Sequence, residues 1–98
     1  MNSMNSVQLL EMLKKQLKTN RGQHSVILHN DNVNTFEHVT DCLIDVCGHN
    51  QFQAEQCALI VHTNKRCAVF TDSYVDCELV YEYLFKLGLK VTIEKFKK

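Results

Sequence analysis

Three polar side chains in this sequence have types and positions that suit the binding of a positively charged group. Asn30 and Asp31 follow directly after the strand-like residues 25–29, and His62 follows the apolar residues 58–61. Carboxylate and amide oxygens and a neutral imidazole nitrogen accept hydrogen bonds, whereas an ammonium group offers only donors. A loop that presents Asn30 and Asp31 near His62, beside apolar side chains, would therefore suit a ligand with a cationic head and an apolar body.

Ordinary structural roles explain the same three residues, and the residue types alone favour them. Asn30 and Asp31 are common in turns because their side chains bond to nearby backbone groups. A histidine near the end of a helix, such as His62, often packs its ring or bonds a carbonyl oxygen. The residue types by themselves therefore leave a binding site and a plain turn both open.

Catalysis is a further possibility. Cys67 lies five residues after His62, and Asp31 could orient the imidazole, which would give a thiol nucleophile, a base and an orienting carboxylate. However, Cys67 falls in a run that should form a buried strand, and no glycine-rich loop is present to stabilise an oxyanion. We therefore expect that the protein is not an enzyme.

Length and charge limit the remaining classes of function. The 98 residues suffice for one domain, and the balance of 11 basic and 11 acidic side chains argues against a nucleic-acid partner. No apolar run approaches the roughly 20 residues that cross a membrane, and the first residues do not resemble a secretory signal. We therefore expect a cytoplasmic protein, without membrane contact, and a monomer as the simplest oligomeric state.

The cysteines do not form a recognisable framework. The five are Cys42, Cys47, Cys57, Cys67 and Cys77. Their number is odd and no Cys-x-x-Cys occurs, so neither a set of disulfides nor a zinc knuckle is indicated. We expect reduced, mostly buried thiols and no metal or other cofactor, with metal binding through scattered Cys and His as the remaining alternative.

The elements that must position these residues alternate between strands and helices. Apolar and β-branched runs predict strands, three- and four-residue spacing predicts helices, and Gly48 and Gly88 are expected to end the first and third helix. We predict strands at 25–29, 67–71 and 89–94 and helices at about 36–47, 51–63 and 74–87. The order β-α-α-β-α-β predicts an α+β domain in which three helices pack on one face of a three-stranded antiparallel sheet.

Apolar spacing also predicts which side of each helix is buried. The third helix is expected to bury a stripe formed by Val75, Leu79, Val80, Tyr83 and Leu84. The second is expected to bury part of a set formed by Phe52, Ala54, Ala58, Leu59 and Val61.

Residues 1–24 differ from the rest, since four basic side chains stand against Glu11 alone, a net charge of +3. Their apolar positions follow helical spacing, so we predict an N-terminal arm, partly ordered or an amphipathic helix, before a core domain at 25–98. A solvated arm and an arm that docks on a partner are both open.

These motifs, in this order, resemble the ClpS family. The segments that carry the resemblance are Val26-Ile27-Leu28-His29-Asn30-Asp31-Asn32, Thr35-Phe36-Glu37-His38-Val39, Ala54-Glu55-Gln56, Val61-His62 and the closing Leu89 to Glu94. In that family an aliphatic strand ends in Asn-Asp-Asp, a helix follows, and a second helix ends in Val-His. The resemblance covers roughly residues 25–94.

The resemblance implies an adaptor that recognises N-degrons, the destabilising N-terminal residues of other proteins. The free α-amino group would be held by Asn30, Asp31, Asn32 and His62, with Asp31 holding the loop or adding negative potential. The first side chain of the substrate (Leu, Phe, Tyr or Trp) would enter a pocket lined by Phe36, Val39, Ala58, Leu59, Val61 and Leu89. The partner would be a Clp unfoldase of the ClpA or ClpC type and, through it, the ClpP peptidase.

The sequence departs from the family pattern around this expected pocket. Asn32 replaces an Asp, Asn34 and Thr35 replace Thr and Pro, and Phe36 and Ala58 each replace a Met. We expect the binding mode to survive and the selectivity to differ. The alternative is a general protein-interaction module of similar fold, which binds a partner by a helix face and ignores N-terminal residues.

Overall fold

The computed structural model describes residues 5–11 and 23–95 of the chain. Residues 6–11 are helical, and the remaining elements are β1 (His24–His29), α1 (Phe36–Cys47), α2 (Gln51–Asn64), β2 (Arg66–Asp72), α3 (Tyr74–Lys86) and β3 (Val91–Lys95). The predicted order of elements is confirmed, and the largest difference in bounds is that β3 begins at Val91 rather than at residue 89. Most of the predicted arm lies outside the described residues.

The sheet has the strand order β2-β1-β3, and both pairings are antiparallel. The α+β fold with a three-stranded antiparallel sheet is thus confirmed. Val26 pairs with Ile93 and Leu28 with Val91, so these four side chains lie on one face, where they join the core against the helices. The pairing of β1 with β2 shifts between Val26 and Ile27.

Local capping signals explain where the helices begin and end. The side chains of Thr35, Asn50 and Ser73 accept the first free backbone N–H groups of α1, α2 and α3, respectively. Gly48 ends α1 with a positive φ of 72°, a conformation that glycine adopts without a steric penalty. Lys65 adopts a similar φ of 78°, and this single residue joins α2 to β2.

The buried side of α3 matches the predicted stripe only in part. Leu84 is fully buried and Val80 nearly so, as expected, but the third buried residue is Cys77. Val75, Leu79 and Tyr83 are all exposed, and Leu79 retains 57% of its surface. Apolar residues surround this helix on several sides, so their spacing did not determine which side faces the sheet.

In α2 the buried residues are Ala54, Ala58 and Val61, whereas Phe52 and Leu59 are exposed. The small alanine side chains allow α2 to pack closely on its neighbours. All five cysteines are free thiols, of which Cys42 and Cys77 are buried and the others partly buried. Within the described ranges, no helix is long and apolar enough to cross a membrane.

Candidate functional site

A cleft of about 260 Å³ opens where the loop after β1 meets the first turn of α1 and the last turns of α2. Its lining residues are Leu28, His29, Asn30, Asp31, Asn34, Phe36, Val39, Ala58, Leu59, Val61 and His62. Ala58 and Val61 are buried, whereas Phe36 and Leu59 are each 48% exposed. The cleft therefore combines exposed apolar side chains with polar groups from the loop after β1 and from the last turn of α2.

The structure brings eight of the ten predicted site residues to this cleft, and leaves Asn32 and Leu89 outside it. Asn32 is exposed on the loop. Leu89 is only 3% exposed and belongs to the core. The end of α3 explains the position of Leu89, because a left-handed Gly88 reverses the chain and the Leu89 N–H donates to the Leu84 carbonyl at 3.1 Å.

Three residues of the cleft, Leu28, His29 and Asn34, were not predicted as site residues. Leu28 and His29 end β1 directly before Asn30, and the His29 ring nitrogen Nε2 lies 2.8 Å from the Thr92 hydroxyl on β3. Asn34 stands three residues after Asp31, a spacing at which an aspartate side chain commonly bonds to the backbone of a turn. That spacing is the sequence signal that identifies Asn34.

The Asp31 carboxylate holds the loop together. Its Oδ1 atom accepts the backbone N–H groups of Val33 and Asn34, each at 2.8 Å. Its Oδ2 atom accepts the Asn34 side-chain amide at 2.7 Å. Both carboxylate oxygens thus bond within the loop, which fixes the backbone around Asn30 before any ligand arrives.

These bonds also set the protonation state of Asp31. Partial burial acts to raise the pKa of the carboxyl group, but the hydrogen bonds from Asn34 and Val33 and the positive charge of Lys90 act against it. Their sum lowers the pKa of Asp31 below the ordinary value of 3.8. Asp31 is therefore a carboxylate at neutral pH and adds negative potential to the cleft.

Asn30 and His62 both line the cleft, one from the loop after β1 and the other from the last turn of α2. The Asn30 backbone N–H donates to the Lys65 carbonyl at 2.9 Å, which ties the loop after β1 to the turn after α2. His62 lies in the last turn of α2, just before that turn. Neither the Asn30 amide nor the His62 ring bonds to another side chain or backbone group of residues 5–11 or 23–95. Both side chains can therefore accept hydrogen bonds from a ligand.

The geometry does not support a catalytic role for Cys67. Its thiol contacts the Ala68 carbonyl at 3.6 Å and bonds to Cys57. Burial, followed by the hydrogen bond and charge of Cys57, raises the pKa of the Cys67 thiol to about 12, so very little thiolate exists at neutral pH. The Asp31 carboxylate, which would have to orient the base, bonds to the loop instead.

A pair of possible metal ligands occurs in α1, where the Cys42 sulfur lies 3.6 Å from Nε2 of His38. The same ring nitrogen lies 2.9 Å from the Leu87 carbonyl, so it already serves the packing of α1 against the end of α3. Across the described part of the chain, no group of three or more His, Cys, Asp or Glu side chains could hold a metal ion.

A family model described as "ATP-dependent Clp protease adaptor protein ClpS" matches residues 19–92. It covers more than half of the chain, so the chain belongs to the ClpS family, which consists of adaptors for a Clp protease and not of enzymes. Among solved structures, Agrobacterium tumefaciens ClpS2 bound to L-phenylalaninamide is similar, with a TM-score of 0.71 and 21% identity over 78% of this chain and 99% of that chain. This likeness shows the fold. The comparison with curated proteins found no match.

Proposed function

We propose that this ClpS-family chain binds the free N-terminal residue of substrate proteins, with Leu, Phe, Tyr or Trp in first position, and delivers those substrates to a Clp ATP-dependent protease. The observation that carries the proposal is that one cleft brings the Asn30 and His62 side chains, which bond to no other described residue, next to the apolar side chains of Phe36, Val39 and Ala58. Agrobacterium ClpS2 bound to L-phenylalaninamide supports it, since that compound combines a free amino group with a phenylalanine side chain.

The chemistry of the cleft matches the two parts of such a ligand. The ammonium group donates hydrogen bonds to the Asn30 amide oxygen and to a neutral His62 nitrogen, while the Asp31 carboxylate supplies negative potential. Each hydrogen bond to a charged group contributes about 1.5–3 kcal/mol, and a buried bulky side chain about as much. Two such bonds and one side chain together contribute about 4.5–9 kcal/mol. Micromolar affinity corresponds to about 8 kcal/mol net, so it requires values at the upper end of this range and further peptide contacts that offset the entropy of association.

Delivery requires a second contact with the protease machinery. We assign this role to an unfoldase of the ClpA or ClpC type, through which the substrate reaches ClpP, and we place the adaptor in the cytoplasm as a monomer. Pull-down with a purified unfoldase of each type tests the choice, and sedimentation of the free chain tests its oligomeric state. If neither unfoldase bound the chain, the assignment would be contradicted.

A helix-face interaction module is the second candidate, and the exposed stripe of Val75, Leu79 and Tyr83 on α3 is the observation that favours it. The two candidates differ in which surface a short peptide contacts. Amide chemical-shift mapping with a peptide that begins in Phe should perturb residues around Asn30, Phe36 and His62 and leave α3 unchanged. Perturbation confined to α3 would instead support the helix-face module.

Variants separate recognition from nonspecific binding. Asn30→Ala and His62→Ala should each weaken binding of the Phe-first peptide about tenfold or more, because each removes a hydrogen bond to a charged group. Asn64→Ala is the matched control, since Asn64 is exposed at the end of α2 and does not line the cleft. Equal affinities of all three variants and the unchanged protein would contradict the proposed site.

A further inference from the structure

The loop that carries Asn30 is fixed at two points, and the second of them involves a residue with no role in the proposal above. The first point is the backbone bond from Asn30 to Lys65. The second is the side-chain amide of Asn34, which donates one hydrogen to the Asp31 carboxylate at 2.7 Å and one to the Gly88 carbonyl at 2.9 Å. Both amide hydrogens of Asn34 are therefore used, and the loop is joined to the turn between α3 and β3.

The Gly88 carbonyl, which accepts the second Asn34 hydrogen, lies in a well-defined turn. Gly88 has a φ of 89°, its N–H donates to the Phe85 carbonyl, and the Leu89 N–H donates to Leu84. These two bonds form the Schellman motif that ends α3, which leaves the Gly88 carbonyl as a rigid acceptor for Asn34. The neighbouring Leu87 carbonyl lies 2.9 Å from His38 Nε2, so two side chains connect this turn to the loop and to α1.

Asp31 and Asn34 thus act as one unit. The carboxylate organises the backbone of the loop, and the amide holds that carboxylate against a turn in another part of the molecule. We infer that Asn34 is a positioning residue for amine recognition, since it holds Asp31, and with it the loop presenting Asn30, in the geometry that receives the substrate ammonium group. This inference rests on the proposed function, because it assigns a role within the same site.

Two substitutions distinguish this role from mere space filling. Asn34→Ala removes the donors and the volume together. Asn34→Asp keeps the shape but replaces the two N–H donors with an oxygen that repels the Asp31 carboxylate and the Gly88 carbonyl at neutral pH. Both variants should bind a free-amine Phe peptide about tenfold or more weakly than the unchanged protein, whereas the control Asn64→Ala should not change the affinity.

An NMR titration of the Asp31 carboxyl carbon, in the absence of peptide, adds a readout that a loss of packing alone would not move. Asn34→Ala should raise the pKa of Asp31 toward its ordinary value of 3.8, because a hydrogen bond to the charged form is lost. The inference is overturned if the unchanged protein and Asn34→Asp bind the peptide equally well. It is also overturned if Asp31 titrates at the same pH in the unchanged protein and in Asn34→Ala. If the unchanged protein binds no peptide, the proposed function fails, and this inference fails with it.

Discussion

At the scale of single residues, the polar side chains of the cleft fall into two sets, one bonded within the loop and the other without a bond to any described residue. The Asp31 carboxylate is used by Val33 and Asn34, whereas the Asn30 and His62 side chains bond to no other group in the described part of the chain. Asp31 therefore prepares the loop, and Asn30 and His62 remain available to a ligand. This division predicts different consequences for substitutions that lie next to each other in the sequence.

Asp31→Asn should destabilise the fold in a pH-dependent way. The hydrogen bonds lower the pKa of Asp31 in the folded protein, so its contribution is fully present above the ordinary pKa of 3.8 and is lost as the pH falls through the lower folded value. We expect a loss of about 1–3 kcal/mol at pH 6 from urea unfolding. The difference from the unchanged protein should shrink below about pH 3.8; a difference that stayed constant with pH would contradict this account.

The thiols of Cys47 and Cys67 should be protected in the folded protein. Burial, with a smaller effect of neighbouring cysteines, raises the pKa of each to about 12, and the thiolate is the reactive species. Iodoacetamide at pH 7.5, followed by peptide mass spectrometry, should label both far more slowly than in urea-unfolded protein. Rapid labelling of Cys67 in the folded chain would contradict this prediction and would favour a reactive, catalytic thiol.

At the scale of elements, α3 separates what apolar spacing can predict from what it cannot. The start at Ser73 and the end near Gly88 were predictable, since capping is a local property of the sequence. The buried side was not, because Val75, Leu79 and Tyr83 repeat every four residues just as a buried stripe would. The buried side holds only Val80 and Leu84 of the predicted stripe, together with Cys77.

A matched pair of substitutions in α3 tests this assignment. Leu84 is fully buried, so Leu84→Ala should lower the unfolding free energy by about 2–5 kcal/mol. Leu79 is 57% exposed, so Leu79→Ala should change it by less than about 0.5 kcal/mol. Urea unfolding measures both. Comparable losses at the two positions would mean that the buried side of α3 is assigned incorrectly.

Gly48 tests the turn between α1 and α2. Its φ of 72° is unfavourable for other residues, but a Cβ atom there would meet no described residue within 4 Å beyond its own neighbours in the chain. Gly48→Ala should therefore cost about 1–2 kcal/mol, from backbone conformation alone. Thermal unfolding of Gly48→Ala should show a transition at a lower temperature that is still cooperative. An unchanged or raised unfolding temperature would contradict the left-handed geometry.

At the scale of the whole molecule, residues 5–11 are separate in sequence from the described core at 23–95. Among the residues that the structure describes, the hydrogen bonds of 5–11 are local and join Asn5 to Gln8 and Leu9. We predict that a chain that begins at residue 23 unfolds at nearly the same temperature and binds a Phe-first peptide as tightly as the unchanged chain does. A large loss of stability would mean that the arm belongs to the folded domain.

The fold could be predicted because it depends on local signals and on their order, whereas the apolar lining of the cleft was expected from the resemblance to the ClpS family. Strand and helix periodicities, with the caps between them, determined the topology, and Asn30, Asp31 and His62 stood at predictable element ends. Leu89 illustrates the limit, since the reversal at Gly88 directs it into the core. The Asn34–Gly88 bond joins residues 54 apart in sequence, so spacing alone did not indicate it.

The central claim is that the cleft recognises a free N-terminal amine together with a bulky first side chain. Fluorescence anisotropy with one Phe-first peptide and its N-acetylated twin tests it most directly, because acetylation removes the charge and donors and leaves the side chain intact. We predict roughly micromolar binding of the free-amine peptide and affinity at least about a hundredfold weaker for the acetylated one. Equal binding of the two peptides would contradict the claim.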